Sequence, residues 1–556
     1  MNISKDENIL CGPELLYEPE KGGVGYEIFR ALTENKGKIV LNIISTEETV
    51  TYDDLLEKGV KTAVYLSRQK QCGREDIICV SSETTSNTLV PFIATQFVGS
   101  KYVCIEPSLP EEDLMYLFDY LQMKIIFVSE RFVEKVVSCS TKCSFKGEII
   151  VLGKSKHFVD LSQLMEIHEG LETFEPIYLE NLKEDAAIIL SSGTTGKPKG
   201  IRINHYALLV QTFTLQFYCG KGNIKLSNYT GESKGIDTFE FMSYSPLHWI
   251  SGVLISLATF FCGGKSTLGT TFDTKEAWIA LKKYKPNIFF LPPGQANEFC
   301  SYVSDKEPLT NLYSFWTGGG LVTEAHIQNM RKCFPGAIIT QFYGLTENTG
   351  IVTGFNMNKP EELQLRKKFP SSCGKPTLGV QIKIVDPENE TVCGVGIQGE
   401  LRTKNKFFMN GYYKMDSSSV FDSDGWLKTG DLAYFDENHC IFIVDRIKDL
   451  LLYKIHNIKP SIIEHILSEH PAVHESLVIG YPHPQDNEHP MGIVVLKDEY
   501  KNKISAKELI TYVNENVPSD RYKIRAGIKF VDQLLRTVTG KPKKWEMKRL
   551  IINGLL

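Results

Sequence analysis

The sequence has few of the features that mark a membrane protein or a disulfide-stabilised scaffold. Its longest apolar run, from Val253 to Cys262, is shorter than the about 20 residues that cross a bilayer, and it predicts a buried helix or strand. Thirteen cysteines are present without any CxxC pair, and the closest two are Cys139 and Cys143. Since no further ligands follow these two at zinc-like spacing, the sequence predicts reduced thiols and no metal site there.

The chain also lacks an excess of positive charge. Its formal net charge is -5, with 23% charged and 42% hydrophobic residues. Binders of nucleic acid normally carry a strong basic excess, so this composition predicts a globular protein whose main partner is not nucleic acid. The polar start, MNISKDENIL, and the end, NGLL, hold neither an apolar secretory run nor a serine-lysine-leucine signal. They predict a cytoplasmic location and argue against secretion. They also make a peroxisomal location a weaker expectation than a cytoplasmic one.

Short β-branched runs alternate with helical stretches along most of the chain. The runs are DIICVSS at 76–82, KIIFVSE at 124–130, EIIVLG at 148–153, AAIIL at 186–190 and NIFFLPP at 287–293. Alternating strands and helices predict an α/β fold with parallel sheets covered on both faces. The segment from Thr51 to Gln69 has apolar residues at helical spacing after a threonine and an acidic first turn, so it predicts a capped helix.

A chain of 556 residues exceeds the usual size of one hydrophobic core, and two or more domains are expected. After the strand-like run from Ile441 to Leu451, the pattern becomes compact, with helix, strand, helix and a basic tail. We therefore predict a large first domain at 1–447 and a small α+β domain at 448–556, joined near Lys448. A cleft between two domains is a usual place for a small-molecule site.

The most informative segment is SSGTTGKPKG, from Ser191 to Gly200, which follows an apolar strand. Its glycines, hydroxyl groups and two lysines predict a loop whose backbone N–H groups and charges surround an oligophosphate. It is not a GxxxxGK[ST] loop, because Pro198 and Lys199 stand where that spacing requires glycine and lysine. A solvated glycine-rich turn is the simpler alternative.

This segment resembles the phosphate loop of the adenylate-forming superfamily, which contains acyl-CoA synthetases, luciferases and peptide-synthetase adenylation domains. The motifs YGLTE at 343–347, TGGG at 317–320, GWLKTGD at 425–431, IVDRIKD at 443–449 and TGK at 539–541 occur in the family's order. The resemblance covers the chain from about Thr51 to Leu550 and is strongest to the luciferase-like and coumarate-CoA-ligase-like branch. It implies a large N-terminal domain of stacked mixed sheets with helices and a small mobile C-terminal α+β domain.

The resemblance also implies roles for individual residues. The catalytic residues would be Lys541, which bridges the carboxylate and the α-phosphate, with His248, Thr194 and Lys199. Glu347 would hold Mg²⁺, because a carboxylate beside a triphosphate needs a cation between them. The nucleotide-binding residues would be Ser191, Ser192, Gly193, Thr195, Gly196, Gly318, Gly319, Gly320, Tyr343, Gly344, Thr346, Asp431, Arg446 and Lys448.

Several of these residues have a simpler structural interpretation. A lone histidine such as His248 is as often a satisfied core residue as a catalytic one, and Trp249 beside it is as readily explained by packing as by a narrowed acyl pocket. A Thr-Glu pair such as Thr346 and Glu347 is in most proteins only the start of a helix. The motif context favours the functional interpretation.

The implied reaction joins a medium-chain, long-chain or aryl carboxylic acid to AMP from ATP with Mg²⁺, and then transfers the acyl group to coenzyme A. Two positions depart from the family pattern: Leu452 replaces a phosphate-contacting lysine, and Ile455 replaces the glycine that admits the pantetheine arm. They predict slow, redirected or absent thioester formation. Two alternatives stay open, a luciferase-like monooxygenase and a protein that binds ATP or an acyl-adenylate without turnover. Gln216 and Trp249 differ from the pattern of light-emitting relatives.

Overall fold

The predicted strands and the predicted capped helix are all present. The computed structural model describes residues 8–192, 197–218, 238–536 and 542–556, with the side chain of Ser192 left out. The helix spans Tyr52–Val64, and Thr51 caps it through a reciprocal pair of hydrogen bonds with Asp54. A π-helical turn, Tyr65–Gln69, continues it to the predicted end. The long apolar run lies in the buried helix Ile250–Phe261.

By their internal contacts, residues 1–382 and 403–427 form one compact unit, and residues 383–402 and 428–556 form a second. The predicted boundary between residues 447 and 448 concerns the functional domains and stays a prediction. The described helices do not include one that is both long and apolar enough to cross a membrane.

Two large sheets dominate the described part of the first unit. One has eight strands in the order Gly411–Tyr412, Pro198–Asn204, Asp185–Ser192, Lys101–Cys104, Ile77–Ser81, Ile125–Val128, Glu148–Val151 and Val159–Asp160. The other has nine strands in the order Lys375–Pro376, Gly350–Gly354, Ile338–Leu345, Ser314–Gly318, Ile288–Phe290, Glu240–Ser243, Lys265–Leu268, Ile39–Ile43 and Thr49–Thr51. Their central strands are parallel, as the alternation of strands and helices predicts. Both edges of the nine-stranded sheet and the Gly411–Tyr412 edge of the eight-stranded sheet are antiparallel, whereas the other edge strand of the eight-stranded sheet, Val159–Asp160, is parallel to its neighbour.

Helices cover these sheets. Those of the first unit are Gly23–Glu34, Tyr52–Val64, Leu89–Phe97, Glu111–Leu121, Val133–Ser140, Leu161–Met165, His205–Tyr218, Ile250–Phe261, Thr274–Tyr284, Pro293–Val303, Glu324–Cys333 and Pro360–Lys368. One buried aromatic cluster lies between helix Pro293–Val303 and the nine-stranded sheet. Its rings pack edge-on or stacked and belong to Phe289, Phe299, Phe315 and Phe334. Such aromatic packing fixes the strands whose ends carry the candidate site.

A third sheet has an antiparallel pair at each of its two edges. Its five strands are Leu10–Cys11, Gln381–Val385, Gly399–Lys404, Leu427–Phe435 and Ile441–Arg446, in that order. The last two are neighbours with Asp431 directly opposite Arg446. This register brings two of the predicted nucleotide-binding residues together.

The described part of residues 448–556, within the second unit, forms the predicted small α+β fold. A long hairpin of Val473–His483 and Asn487–Leu496 is flanked by the strands Leu451–Tyr453, His456–Ile458 and Ile528–Phe530. Helices Pro460–Glu469, Ala506–Asn516 and Lys544–Ile552 complete the unit. Apolar side chains of the first two helices form a core with the hairpin, which includes Ile463, Leu467, Val478, Val494 and Leu509.

Candidate active site

The predicted phosphate loop joins two antiparallel strands of the eight-stranded sheet. Strands Asp185–Ser192 and Pro198–Asn204 pair with Ser191 opposite Lys199, so the loop begins and ends on adjacent strand positions. The loop residues Gly193, Thr194, Thr195 and Gly196, the side chain of Ser192, and Lys541 lie outside the described residues, and their roles stay predictions.

Lys199 is the centre of a charged cluster at the base of this loop. Its Nζ lies 3.9 Å from Oε1 of Glu347 and 3.8 Å from the centre of the Tyr412 ring. The Tyr412 hydroxyl donates a hydrogen bond of 3.1 Å to the same Oε1. Burial, followed by the negative charge of Glu347, raises the pKa of Tyr412, so the phenol stays protonated and remains a donor.

Three separate segments converge to form this cluster. Tyr412 lies on the edge strand Gly411–Tyr412, opposite Ile201, which places its ring diagonally across from Lys199 on the same sheet. Glu347 lies in the single 3₁₀ turn Thr346–Asn348, which follows strand Ile338–Leu345. The Met409 N–H donates to the Glu347 carbonyl over 3.0 Å and ties this turn to the segment that leads into Tyr412.

The cluster has the donor chemistry that a nucleotide triphosphate with Mg²⁺ requires. An ammonium group beside a glycine-rich loop suits a phosphate, and a carboxylate is a preferred ligand of Mg²⁺. The side chains of Lys199 and Glu347 are about one-fifth exposed, at 23% and 22%, so a ligand can reach both. Among the described residues, the buried hydroxyl of Ser191 has no hydrogen-bond partner, and a buried polar atom of this kind favours a ligand that satisfies it.

Two glycine motifs lie at the ends of neighbouring strands of the nine-stranded sheet. Strand Ser314–Gly318 ends on the predicted TGGG motif, and a Cβ on Gly318 would lie 2.8 Å from the Phe342 carbonyl oxygen. Gly319 has φ +85°, which L side chains rarely adopt. A Cβ on Gly344 would lie 2.3 Å from the Gly350 carbonyl oxygen, so the close approach of two strands requires glycine there. Tyr343, beside it, is half-buried.

In the second unit, Asp431, the predicted ribose ligand, lies beside Arg446, the predicted ribose or phosphate contact. Arg446 Nε lies 2.6 Å from Asp431 Oδ1, and the Asp431 side chain is only 4% exposed. The Asp431 N–H donates to Thr429 Oγ1 over 3.1 Å, which fixes the strand around the carboxylate. Lys448, the predicted pivot, is exposed in the 3₁₀ turn Ile447–Asp449.

His248 contacts a carboxylate that the sequence did not indicate. Its Nε2 lies 2.9 Å from Oε2 of Glu106, and Ser108 Oγ donates to Oε1 over 2.7 Å. Burial would raise the pKa of Glu106, but the contacts with His248 and Ser108 outweigh it and hold that pKa below its ordinary value. Neither buried ring nitrogen of His248 makes a hydrogen bond of good geometry among the described residues, so the approach of Nε2 to Glu106 is a close polar contact. The ring therefore faces the Glu106 carboxylate on its Nε2 side.

Comparison with known proteins decides which family this arrangement belongs to. The family model of AMP-binding enzymes matches residues 28–413, and the model of the AMP-binding enzyme C-terminal domain matches residues 462–541. The chain belongs to the AMP-binding enzyme family. This confirms the predicted membership of the adenylate-forming superfamily and its fold class.

This AMP-binding enzyme has relatives along nearly its whole length. It is 28% identical over 551 residues to luciferin 4-monooxygenase of Photuris pensylvanica, covering 97% of each chain. It is 24% identical to 4-coumarate–CoA ligase-like 8 of Arabidopsis thaliana, covering 97% of this chain and 94% of the relative. The structure of the luciferase-like enzyme from the nonluminescent Zophobas morio mealworm superposes with a TM-score of 0.72 at 27% identity, covering 80% of this chain and 100% of that one.

The two departures from the family pattern lie in one hairpin, Leu452 in strand Leu451–Tyr453 and Ile455 in the turn that leads to strand His456–Ile458. Leu452 has 42% of its surface exposed to solvent, and Ile455 has 87% exposed. Positive φ falls on Lys454, at 56°, and Ile455 is outside the left-handed region. In the described conformation, Ile455 therefore needs no glycine-like backbone, and its effect comes from its side chain.

Sequence reasoning missed two side chains of this AMP-binding enzyme, Tyr412 and Glu106. Tyr412 lies in a Gly-Tyr-Tyr-Lys stretch with no distinctive pattern, and Glu106 follows a strand in an ordinary charged segment. A polar residue directly after a buried parallel strand is the signal that could have found Glu106, because ligands bind at the carboxyl ends of such strands.

Proposed function

We propose that the protein is an acid-thiol ligase that activates a carboxylic acid with ATP and then transfers the acyl group to coenzyme A. In the first step, a carboxylate oxygen of the acid attacks the α-phosphorus of ATP. A new phosphorus–oxygen bond forms, the bond to the bridging oxygen breaks, and pyrophosphate leaves with the electron pair. The acid would be a medium-chain, long-chain or aryl acid.

The observation that supports this proposal best is the cluster of Lys199, Glu347 and Tyr412 at the base of the predicted phosphate loop. Two anions must meet while negative charge grows on the phosphorus, so catalysis depends on cations that are already in place. Lys199 supplies one such charge, 3.9 Å from Glu347. Tyr412 donates a hydrogen bond to the Glu347 carboxylate and holds it in position.

Mg²⁺, when bound to Glu347, would neutralise phosphate charge. Lys541 would bring a second ammonium group to the reacting carboxylate, and Asp431 would accept hydrogen bonds from the ribose hydroxyls. Arg446 Nε already lies 2.6 Å from Asp431 Oδ1. His248 would orient the incoming acid, with Glu106 fixing its ring.

Coenzyme A is proposed as the acceptor because a relative of almost the same length is named as a coumarate-CoA ligase-like protein. A second candidate is a monooxygenase that oxidises its own acyl-adenylate, and it is favoured by the 28% identity to luciferin 4-monooxygenase. Leu452 weakens both, since a leucine offers no charge where the family carries a lysine. A third candidate is a protein that holds an acyl-adenylate without further turnover.

Carboxylate-dependent exchange of labelled pyrophosphate into ATP tests the adenylation step. A panel of fatty and aryl acids is assayed with the wild-type protein, with Lys541→Ala and with Lys543→Ala as the matched neighbouring control. We expect exchange with one class of acid, loss in Lys541→Ala and retention in Lys543→Ala. No exchange with any acid in a protein that still binds ATP would overturn the ligase proposal in favour of the binding protein.

Acyl-CoA formation and oxygen uptake are then measured with the acid that supports exchange. Thioester product with stoichiometric AMP supports the ligase. Oxygen uptake without coenzyme A would instead select the monooxygenase.

A further inference from the structure

Two histidines and an aspartate lie together at the tip of the long hairpin of the second unit. Strands Val473–His483 and Asn487–Leu496 pair with Tyr481 opposite His489 and His483 opposite Asn487. Because side chains alternate between faces, His483 and His489 are diagonal neighbours on one face. Asp486 comes from the turn between the strands.

The donor atoms of these three side chains converge. His489 Nε2 lies 2.8 Å from Asp486 Oδ2, and His483 Nδ1 lies 3.7 Å from the same oxygen. The two imidazole rings are stacked, with centroids 3.9 Å apart and planes at 15°. One ligand atom from each residue lies within 4.8 Å of the other two.

These separations match the edges of a metal coordination shell. Zinc binds imidazole nitrogen and carboxylate oxygen at about 2.0–2.2 Å with tetrahedral geometry, so two of its ligand atoms are about 3.3 Å apart. The distance from His489 Nε2 to Asp486 Oδ2 is shorter than this value, at 2.8 Å, and the distance from His483 Nδ1 to the same oxygen is longer, at 3.7 Å. Small side-chain rotations would therefore complete three positions of a tetrahedron.

The surroundings allow an ion to enter and hold the ligands in place. The side chains of His483, Asp486 and His489 are 35%, 22% and 16% exposed, which leaves room for water in the fourth position. The Asp486 carbonyl accepts a hydrogen bond of 2.7 Å from the Lys454 N–H, and Asn487 Nδ2 donates to the Lys454 carbonyl over 2.8 Å. The turn is thus fixed by two hydrogen bonds that leave the three candidate metal-ligand atoms unused.

Three contacts oppose an ion at this place. His483 Nδ1 accepts long hydrogen bonds from the N–H groups of Gln485 and Asp486, at 3.4 Å and 3.2 Å. Lys454 Nζ lies 4.0 Å from Asp486 Oδ1. Gln485 is exposed, so water can replace its bond, and Lys454 is a flexible surface side chain that can move away.

We propose that His483, Asp486 and His489 bind a divalent transition-metal ion, with Zn²⁺ the expected one. Two imidazole nitrogens with one carboxylate select such an ion over Mg²⁺ or Ca²⁺, which prefer oxygen ligands alone. The ion takes the place of the proton shared by His489 and Asp486, which is released to solvent. This site is separate from the adenylation residues and does not depend on the proposed function.

Bound metal would stabilise the second unit locally. Strand Leu451–Tyr453 pairs with the hairpin through Tyr453 and Asn487, next to Asp486. An ion that fixes the turn also fixes this pairing, because a ligand that binds only the folded state raises its stability.

Titration of the full-length, metal-stripped protein with Co²⁺ tests the proposal. Co²⁺ in a nitrogen and oxygen site of low symmetry absorbs visible light, and a cysteine site would add thiolate charge-transfer absorption in the near ultraviolet. We expect saturation at one ion per chain without the thiolate band, and reversal by one equivalent of Zn²⁺.

The test variant is the double substitution His483→Gln and His489→Gln. The matched control is His456→Gln with His474→Gln, two exposed histidines of the same unit outside the cluster. We expect the test variant to lose the bound ion and the control to keep it, with both showing wild-type circular dichroism. Asp486→Asn, which keeps the shape of the turn, should weaken binding at least tenfold.

Absence of a saturable signal in the wild-type protein, or an equal signal in the test variant and the control, would overturn the proposal. If the double variant is not folded, the single Asp486→Asn result decides in the same way. Zn²⁺ should also raise the melting temperature of the wild-type protein and leave that of the test variant unchanged.

Discussion

Glu106 and His248 lie 2.9 Å apart although they follow strands of two different sheets. Glu106 comes after strand Lys101–Cys104 of the eight-stranded sheet, and His248 comes after strand Glu240–Ser243 of the nine-stranded sheet. Both strands are central and parallel to their neighbours. Glu106 and His248 therefore meet where the carboxyl ends of strands from the two sheets come together. The Glu106 side chain is only 21% exposed there, so a polar partner offsets part of the cost of its burial.

Glu106→Gln should lower adenylation without changing the fold. The amide keeps the size of the side chain but removes the charge 2.9 Å from His248 Nε2, and misplacing an orienting group costs up to about 10²-fold in rate. We expect kcat/KM for the acid to fall about tenfold or more in pyrophosphate exchange.

His248→Gln and the double variant complete a mutant cycle with Glu106→Gln. If Glu106 acts through the ring, the double variant should be no slower than His248→Gln alone. Additive losses would show that the two side chains act independently. Ser108→Ala, which removes only the hydrogen bond to the other carboxylate oxygen, is the control.

Lys199→Met should reduce the rate of pyrophosphate exchange by about 10²–10³-fold. This is the range found when an enzyme loses one preorganised donor that stabilises the charge developing in the transition state. Tyr412→Phe should cost only a few-fold, because it removes a neutral hydroxyl from Glu347. The control is Lys197→Met on the same loop, where the ammonium group lies 4.7 Å from the Tyr116 ring and the side chain is exposed. An equal loss in Lys197→Met would mean that Lys199 contributes only general positive charge.

Leu452→Lys with Ile455→Gly should raise thioester formation several-fold. The first change supplies a charge that can contact phosphate, and the second removes a side chain that is 87% exposed in the turn. Pyrophosphate exchange should stay within twofold, because neither residue belongs to the Lys199 cluster. Acyl-CoA production is the measurement, and an unchanged rate would show that these two positions do not limit transfer. Ile455→Ala alone separates side-chain bulk from glycine flexibility.

His205 should make stability depend on pH. It is buried, its Nδ1 accepts a hydrogen bond of 3.2 Å from the Val24 N–H, and burial lowers its pKa from 6.5 to about 3. The unfolded chain therefore binds a proton below pH 6.5 that the folded chain does not, so stability is full above pH 6.5 and falls as the pH drops toward 3. The slope is about 1.4 kcal/mol per pH unit in the middle of this window.

Urea unfolding at pH 6.5 and 5.5 measures this effect. His205→Asn keeps an acceptor for Val24 but cannot be protonated, so it should lose about 1 kcal/mol less than the wild-type protein between the two pH values. The exposed His456→Asn should behave as the wild type. Equal losses in all three proteins would contradict the prediction.

The sequence by itself determined the local elements and the family. Short β-branched apolar runs predict strands such as Ile77–Ser81, and the threonine cap predicts the helix Tyr52–Val64, because both depend on neighbours a few residues away. The ordered motifs place Lys199, Glu347 and Asp431 in one family pattern. Those predictions concern which residues are present, not how they are arranged.

Only the tertiary structure decided which side chains touch. Glu106 reaches His248 and Tyr412 reaches Lys199 across strands that are distant in the chain, and no local pattern encodes sheet order or register. The same holds for His483 and His489, whose neighbourhood follows from the pairing of two strands. Contacts between distant segments are fixed by the packing of whole sheets and their cores, and that packing is a property of the entire fold.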